Sequence, residues 1–354
     1  MRIVLIGEFS LLHNYLKEGL INKGHNVTLF SNGDGWKKMP SDYKLYNTGR
    51  KGIKRIYDFY IEPLYRFKKI KGYDIVQLIS PLVFSSFINN KIIRALKKNN
   101  KHLVLMAAGN DYATVTAYKE GILKHIFDYD KEHLIKYDEK TLKGRLKIRD
   151  EKEVLDLVDL VIPTSYIYKV GYKNNPKVSN VIPLPINLAK VEYIQNKVID
   201  KIVFFHGLNR ELAKGTFFIR GAMEKLKENY PNDVEIIIDG HLPYDEYIKI
   251  IGKTNVILDQ CCDYDYGMNA CVSMARGKVV MCCSTKEALK EIDQESSPVI
   301  PISANIDDIY EKLVSIVNKR NEIENMGFQS RKYVEKVHDC NIIAEKYLEA
   351  WGRL

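Results

Sequence analysis

Along the 354-residue chain, short apolar runs alternate with segments whose apolar residues recur every three or four positions. The first pair is "RIVLIG" followed by "LLHNYLKEGLINKG". The run is short and almost wholly apolar, as a strand buried on both faces must be. In the second segment Leu12, Leu16 and Leu20 share one helical face, and Gly24 ends it before "HNVTLF", a second strand. Strand, helix and strand in this order predict a parallel sheet. "DIVQLIS" (74–80), "HLVLMAAG" (102–109) and "DLVIPTS" (159–165) extend the scheme, and "FINNKIIRALKKN" is the clearest helix among them.

"VIPLPINLAKV" (181–191) breaks the alternation with two prolines and predicts a linker. A second alternation follows. "KIVFFHG" (201–207), "DVEIIIDG" (233–240), "NVILDQ" (255–260) and "GKVVMCC" (277–283) read as strands, with "KGTFFIRGAMEKLKENY" and "YDEYIKIIGKT" as helices between them. From Ile306 onward the pattern is helical. The expected organisation is an α/β protein with two Rossmann-like domains, at 1–185 and 190–330. A C-terminal helix, 331–354, packs back on the first.

Composition narrows the functional classes. The chain is 45% hydrophobic and 28% charged, a balance typical of soluble globular proteins, and its length suits two domains. A net charge of +9 fits an anionic partner such as a nucleotide, a phospholipid surface or nucleic acid, and equally a lysine-rich composition without function. No run reaches the roughly 18–20 apolar residues of a spanning helix. The N-terminus "MRIVLIGEFSLLHN" reads as a first strand and not as a signal peptide, so a cytoplasmic location is expected. Cys261, Cys262, Cys271, Cys282, Cys283 and Cys340 form no CxxC and no zinc spacing, and are expected as small buried residues with no bound metal.

Ligands of open α/β sheets lie outside the carboxyl ends of the strands. In the second half those ends are His206 to Arg210, Asp239-Gly240-His241, Asp259-Gln260 and Tyr266-Gly267. Arg210 and Lys214 flank a turn into a helix expected to begin near Gly215-Thr216. Free N–H groups, a positive dipole end and two cations make an anion cradle there, and a diphosphate is its natural occupant. Gly207 and Asn209 share that strand end. Gly267 permits close backbone approach, and Met268 and Asn269 open a helix of small residues able to point its N-terminus at a ligand. His241 is expected to face the same ligand.

Arg210, Lys214-Gly215, Asp259-Gln260, Tyr266-Gly267 and "VSMARGKVVM" (272–281) together resemble the donor domain of the GT-B glycosyltransferases. The closest likeness is to the family 4 and family 1-like group, in a bacterial polysaccharide-type subgroup. The resemblance covers most of residues 200–290, and the N-terminal stretch through "GDGWK" (33–37) is similar to the group's acceptor domain. It implies two Rossmann-like domains facing across a cleft, with the C-terminal helix crossing back. It also implies metal-independent transfer of a hexosyl or related sugar from a nucleotide-sugar donor, with no cofactor. The acceptor would be a glycan or a lipid-linked molecule in surface polysaccharide or glycoconjugate synthesis. Gly207, Asn209, Arg210, Lys214, Gly215, His241, Tyr266, Gly267, Met268 and Asn269 would hold the donor.

Two departures stand out. The family's glutamate falls on Val272, and its acceptor-domain histidine falls on Ala108, while Asn110 and Asp111 remain. His13, at the start of the first helix, and Asp111 are the candidate bases for the acceptor hydroxyl. Asp34, Trp36 and Asn110 are candidate acceptor contacts. The departures leave two alternatives: a non-catalytic GT-B homologue, and a sugar-nucleotide epimerase that needs no acceptor. "RKGIKRIYDFYIEPLYRFKKIKGY" (50–73) interleaves cations and aromatics, which suits base stacking or an anionic membrane interface. Beside a lipid-linked acceptor, peripheral contact with the inner face of a membrane is the expectation, and no nucleic-acid partner is expected.

Overall fold

The computed structural model describes residues 1–240 and 244–354, and the chain divides into two compact units. The first comprises Met1–Leu123, Glu132–Pro185 and Cys340–Leu354; the second comprises Lys124–Lys131 and Ile186–Asp339.

In the first unit the apolar runs become β1 (Arg2–Ile6), β2 (Asn26–Phe30), β3 (Ile75–Leu78), β4 (His102–Ala107) and β5 (Leu160–Pro163). All pair in parallel, in the order β2-β1-β3-β4-β5. The helices are α1 (Leu12–Asn22), α2 (Ile53–Ile56), α3 (Glu62–Lys68), α4 (Ser86–Asn99), α5 (Tyr112–Lys119), α6 (Lys131–Ile135), α7 (Leu142–Leu157) and α8 (Tyr166–Gly171). A π-helical turn, Tyr57–Ile61, joins α2 to α3. Phe67 of α3, Ile88, Ile92 and Leu96 of α4 and Val154 of α7 close one sheet face over Val4, Val76 and Leu103.

The second unit repeats the plan. Its strands are β6 (Ile202–Leu208), β7 (Val234–Gly240), β8 (Val256–Leu258), β9 (Val279–Cys282) and β10 (Ile300–Pro301), parallel in the order β10-β9-β8-β6-β7. Its helices are α9 (Glu211–Lys214), α10 (Thr216–Asn229), α11 (Tyr244–Lys253), α12 (Met268–Ala275), α13 (Lys286–Glu291), α14 (Ile306–Asn318) and α15 (Ile323–Val337). The two-residue β10 is absent from the pattern reading, because "SSPVIP" offers too few apolar positions to register. The helix expected to begin near Gly215-Thr216 is α10, and the short α9 that precedes it occupies the expected turn.

The last helix, α16 (Cys340–Trp351), packs on α1 within the first unit. Gly19 makes that contact possible, since a Cβ there would overlap the Cys340 carbonyl group, whose carbon lies 2.7 Å away. No described helix is long and apolar enough to cross a membrane.

Candidate functional site

Both sheets reverse their order of strand addition after the first strand. In each unit the topological switch point therefore lies between the first and third strands, β1 and β3 or β6 and β8, where this class of sheet opens a crevice. Several buried polar side chains lie at these two points: Glu8, His13 and Gln77 at the first, and His206, Lys214, Thr216 and Asp259 at the second.

At the β6/β8 switch, His206 is fully buried. Its Nδ1 lies 2.9 Å from the Leu258 carbonyl oxygen and its Nε2 lies 2.8 Å from Thr216 Oγ1. Burial pushes the imidazole down to about 4, so the ring is neutral and ties β6 to β8 and α10. One residue beyond β8, Asp259 is buried and accepts from Lys214 Nζ at 2.8 Å and from Asn269 Nδ2 at 2.8 Å. Burial works to raise this carboxyl. The Lys214 ammonium and the hydrogen bonds of Lys214 and Asn269 outweigh it and hold Asp259 below its usual range. Lys214 is 4% exposed and also reaches the Gly207 carbonyl at 3.4 Å. Tyr247 of α11 donates to Asn269 Oδ1. One network thus joins β6, β8, α9, α11 and α12.

The two cations flanking this turn therefore differ. Lys214 is committed to a buried ion pair, while Arg210, in the left-handed region at φ 49°, is exposed. The reason lies in Gly215 (φ 72°). It turns the chain between α9 and α10 and packs against the Cys261 and Cys262 sulfurs, so a Cβ would meet Cys262 Sγ at 2.6 Å. That turn aims Lys214 inward. The Asn209 side-chain oxygen is buried without a hydrogen-bond partner. Asp263, raised to about 6 by burial, lies near enough to Arg210 for that charge to draw it partly back.

Around α12, Gly267 is the N-cap, and a Cβ built there would meet nothing within 4 Å. Met268 and Val272 are buried at 9% exposure. The Tyr266 hydroxyl is held by Tyr333 Oη at 2.9 Å and His338 Nε2 at 3.1 Å, inside the unit. The expected contact His241 lies outside the described residues.

At the β1/β3 switch, His13 is also fully buried. Its Nδ1 lies 2.8 Å from the Gly7 carbonyl and its Nε2 lies 3.2 Å from Gln77 Nε2, and burial brings the ring down to about 4. Both ring nitrogens thus hold the fold together. Glu8, which sequence reasoning passed over, accepts from Asn14 N at 2.9 Å, Asn14 Nδ2 at 2.6 Å and His13 N at 3.3 Å. Burial nonetheless raises Glu8 to about 7. Beside it, Asp34 accepts from Ser10 N at 2.9 Å and Lys37 Nζ at 2.6 Å, and Lys37 also reaches Ser10 Oγ at 2.7 Å. Ser10, Leu11, Asp34 and Lys38 all hold positive φ, four of the seven such non-glycine residues described. Strain of this kind persists where a site needs it, and it marks these two loops. Trp36 follows, 48% exposed.

Asp111 sits apart, at the end of β4. Its Oδ1 caps α5 through Ala113 N (3.0 Å) and Thr114 N (3.3 Å), and its Oδ2 accepts from the Tyr172 hydroxyl. Burial raises it, and it shares its pocket with Glu151, which burial and the neighbouring Asp111 raise to about 7. Asn110, its side-chain oxygen buried and unpartnered, presents its carbonyl oxygen to His133 Nε2 at 2.9 Å. The first unit thus gathers Glu8, His13, Asp34 and Lys37 at one switch point and keeps Asp111 and Asn110 two strands away. Glu8 could have been suspected as a carboxylate immediately after a predicted strand. Lys37 could not, since only the β2 loop's path brings it to Ser10.

No family model matches this chain, and no curated protein matches it by sequence. Solved structures match its fold from end to end. Sucrose-phosphate synthase of Thermosynechococcus elongatus aligns over 100% of this chain and 99% of its own, at TM-score 0.64 and 14% identity. HepE of Anabaena in complex with UDP-glucose aligns over 100% of both chains at 0.61 and 10%. The UDP-GlcNAc 2-epimerase of Neisseria meningitidis bound to UDP-GlcNAc does so at 0.57 and 10%. With two five-stranded parallel sheets and this full-length correspondence, the chain has the GT-B fold that the sequence resemblance implied.

Proposed function

We propose that the protein is a glycosyltransferase that binds a UDP-sugar through the β6/β8 switch point and transfers the sugar to an acceptor held by the first unit. The observation that carries this reading is the network Lys214–Asp259–Asn269 beside the exposed Arg210 turn. It fixes the strand end and the start of α12 and leaves one guanidinium for a diphosphate, whose charge must be neutralised as it departs. The fold neighbours in complex with UDP-glucose and UDP-GlcNAc make a uridine nucleotide the first donor to try. Gly207, Asn209, Gly215, Tyr266, Gly267 and Met268 shape the same strand ends, with Val272 supplying no carboxylate. Asp34, Trp36 and Asn110 are the proposed acceptor contacts, and a glycan or lipid-linked hydroxyl is the proposed acceptor. The chemistry as proposed uses no metal and no cofactor. His13 and Asp111 are the proposed bases for the acceptor hydroxyl, and Glu8, buried beside His13 and raised to about 7, is a third candidate.

Calorimetric titration with UDP tests the donor half. Binding is expected, and Arg210→Ala should weaken it about tenfold or more without lowering thermal stability, because one charge-assisted contact to phosphate is lost from an exposed side chain. Absence of heat with UDP, GDP and ADP alike would sink the proposal. The epimerase neighbour supports a second reading. Conversion of a UDP-sugar into its epimer with no acceptor present would favour it.

A further inference from the structure

We infer that the first unit carries a membrane-docking face, built from the N-terminal ends of three adjacent helical segments, that seats the protein on an anionic bilayer. The segment 50–73 alone suggests an amphipathic surface, but the structure shows a larger one. The helical rod from α2 to α3, together with α4 and α7, lies side by side on one face of the sheet, α3 against α4 and α4 against α7. Each leads into a strand of the parallel sheet, so all three begin at the sheet's carboxyl edge, the edge that bears Glu8 and Asp34.

At those three beginnings large apolar side chains stand in solvent. Ile53 is 85% exposed, Phe87 79% and Leu142 66%, with Ile56, Tyr57 and Leu146 also exposed. Tyr60 and Phe87 meet edge to face at 6.2 Å between ring centroids, which joins the rod to α4. Isolated exposed apolar residues need no explanation, but a cluster drawn from separate elements at one end of a unit marks an interaction surface.

Charge selects the occupant. Residues 50–57 and 139–146 hold seven cations, Arg50, Lys51, Lys54, Arg55, Lys140, Lys143 and Arg145, against one carboxylate, Glu139. The acids within the rod are already engaged: Asp58 is buried facing Arg50, and Glu62 pairs with Arg66. A protein partner's interface core is generally depleted in charge, whereas Ile, Phe, Leu and Tyr ringed by Lys and Arg match a bilayer interface with anionic headgroups. The acceptor loops at Asp34 and Trp36 open on the same sheet edge. On the glycosyltransferase reading, the acceptor is then a lipid-anchored hydroxyl presented at the membrane surface.

The full chain can be sedimented with vesicles of phosphatidylcholine alone and of phosphatidylcholine with a quarter phosphatidylglycerol. Binding is expected only to the anionic vesicles, and it should weaken as salt is added. A cation near such a surface contributes about fivefold in partitioning, so changing Lys54, Arg55, Lys140 and Lys143 to Gln should lower binding by about a hundredfold or more. The variant Ile53→Asp, Phe87→Asp, Leu142→Asp should lower it at least tenfold while leaving the melting temperature and UDP titration unchanged, because all three side chains are exposed. Failure to bind anionic vesicles overturns the inference. So does loss on removing the lysines with none on replacing the apolar residues, which would mark a simple polyanion site such as one for nucleic acid. Vesicle binding with no binding of UDP, GDP or ADP would sustain the docking face and remove the glycosyltransferase reading.

Discussion

At the scale of single residues, two buried imidazoles and one buried carboxylate define what the site can do. His13 resembles a base in sequence, but its two nitrogens hold Gly7 and Gln77, and burial keeps it neutral. Glu8, whose two oxygens likewise accept bonds from His13 and Asn14, is raised by burial to about 7, a range in which a carboxylate can accept a proton and release it again. If Glu8 takes the acceptor's proton, Glu8→Gln should slow transfer by about a hundredfold or more with little change in the donor's KM. A rate within a few-fold of the parent would instead mean that the departing phosphate takes the proton. Lys214 carries a warning of the same kind. Lys214→Ala would leave Asp259 buried and unpaired, at a cost of about 3–5 kcal/mol. Lost binding in that variant would then report on folding, and Arg210 is the cleaner probe.

At the scale of elements, the turn between α9 and α10 decides the donor side. The sequence places a turn between Arg210 and Lys214 and starts the helix near Gly215-Thr216, but it does not show the short α9 within that turn. Gly215 separates α9 from α10 with φ 72° and no Cβ, packed on Cys261 and Cys262. Gly215→Ala should therefore destabilise the second unit by about 1–3 kcal/mol, from strain and steric overlap together, as read from urea unfolding. A change below about half a kcal/mol would show that the two cysteines simply move aside. The π-helical turn at Tyr57–Ile61 shows a related limit. The interleaved cations and aromatics of 50–73 suggest an amphipathic surface, but they do not show that its first turns are exposed or that Tyr60 meets Phe87.

At the scale of the whole molecule, the two units should respond to acid in opposite senses. In the first, Glu8 and Glu151 titrate near 7, above their unfolded values, so protonation favours the folded state as pH falls from 7 toward 4.5. His13, down at about 4, acts the other way: its contribution is full above 6.5 and is lost as pH falls toward 4. The raised carboxyls Glu8, Glu151 and Asp111 together outweigh the one lowered histidine, so the first unit gains stability between pH 7.5 and 5.5. In the second unit His206, also near 4, is set against Asp263, near 6, and the balance is slightly unfavourable over the same range. Calorimetry at the two pH values should show the first unit's transition rising relative to the second's. Parallel shifts would contradict the assignment.

The sequence by itself determined the class of fold, because a parallel strand buried on both faces must be written as an apolar run, and its crossover helix as a four-residue repeat. Most strands were legible for that reason, as were the strand-end positions of Asp259 and Arg210. The tertiary structure alone decided which of those residues meet. That Lys214 pairs with Asp259 and that Lys37 reaches Ser10 and Asp34 both depend on strand order and loop path. So does the passage of Lys124–Lys131 into the second unit. Local spacing records which way a side chain faces on its own element. The partner it finds is set by contacts between elements far apart in the chain, and those leave no periodic mark.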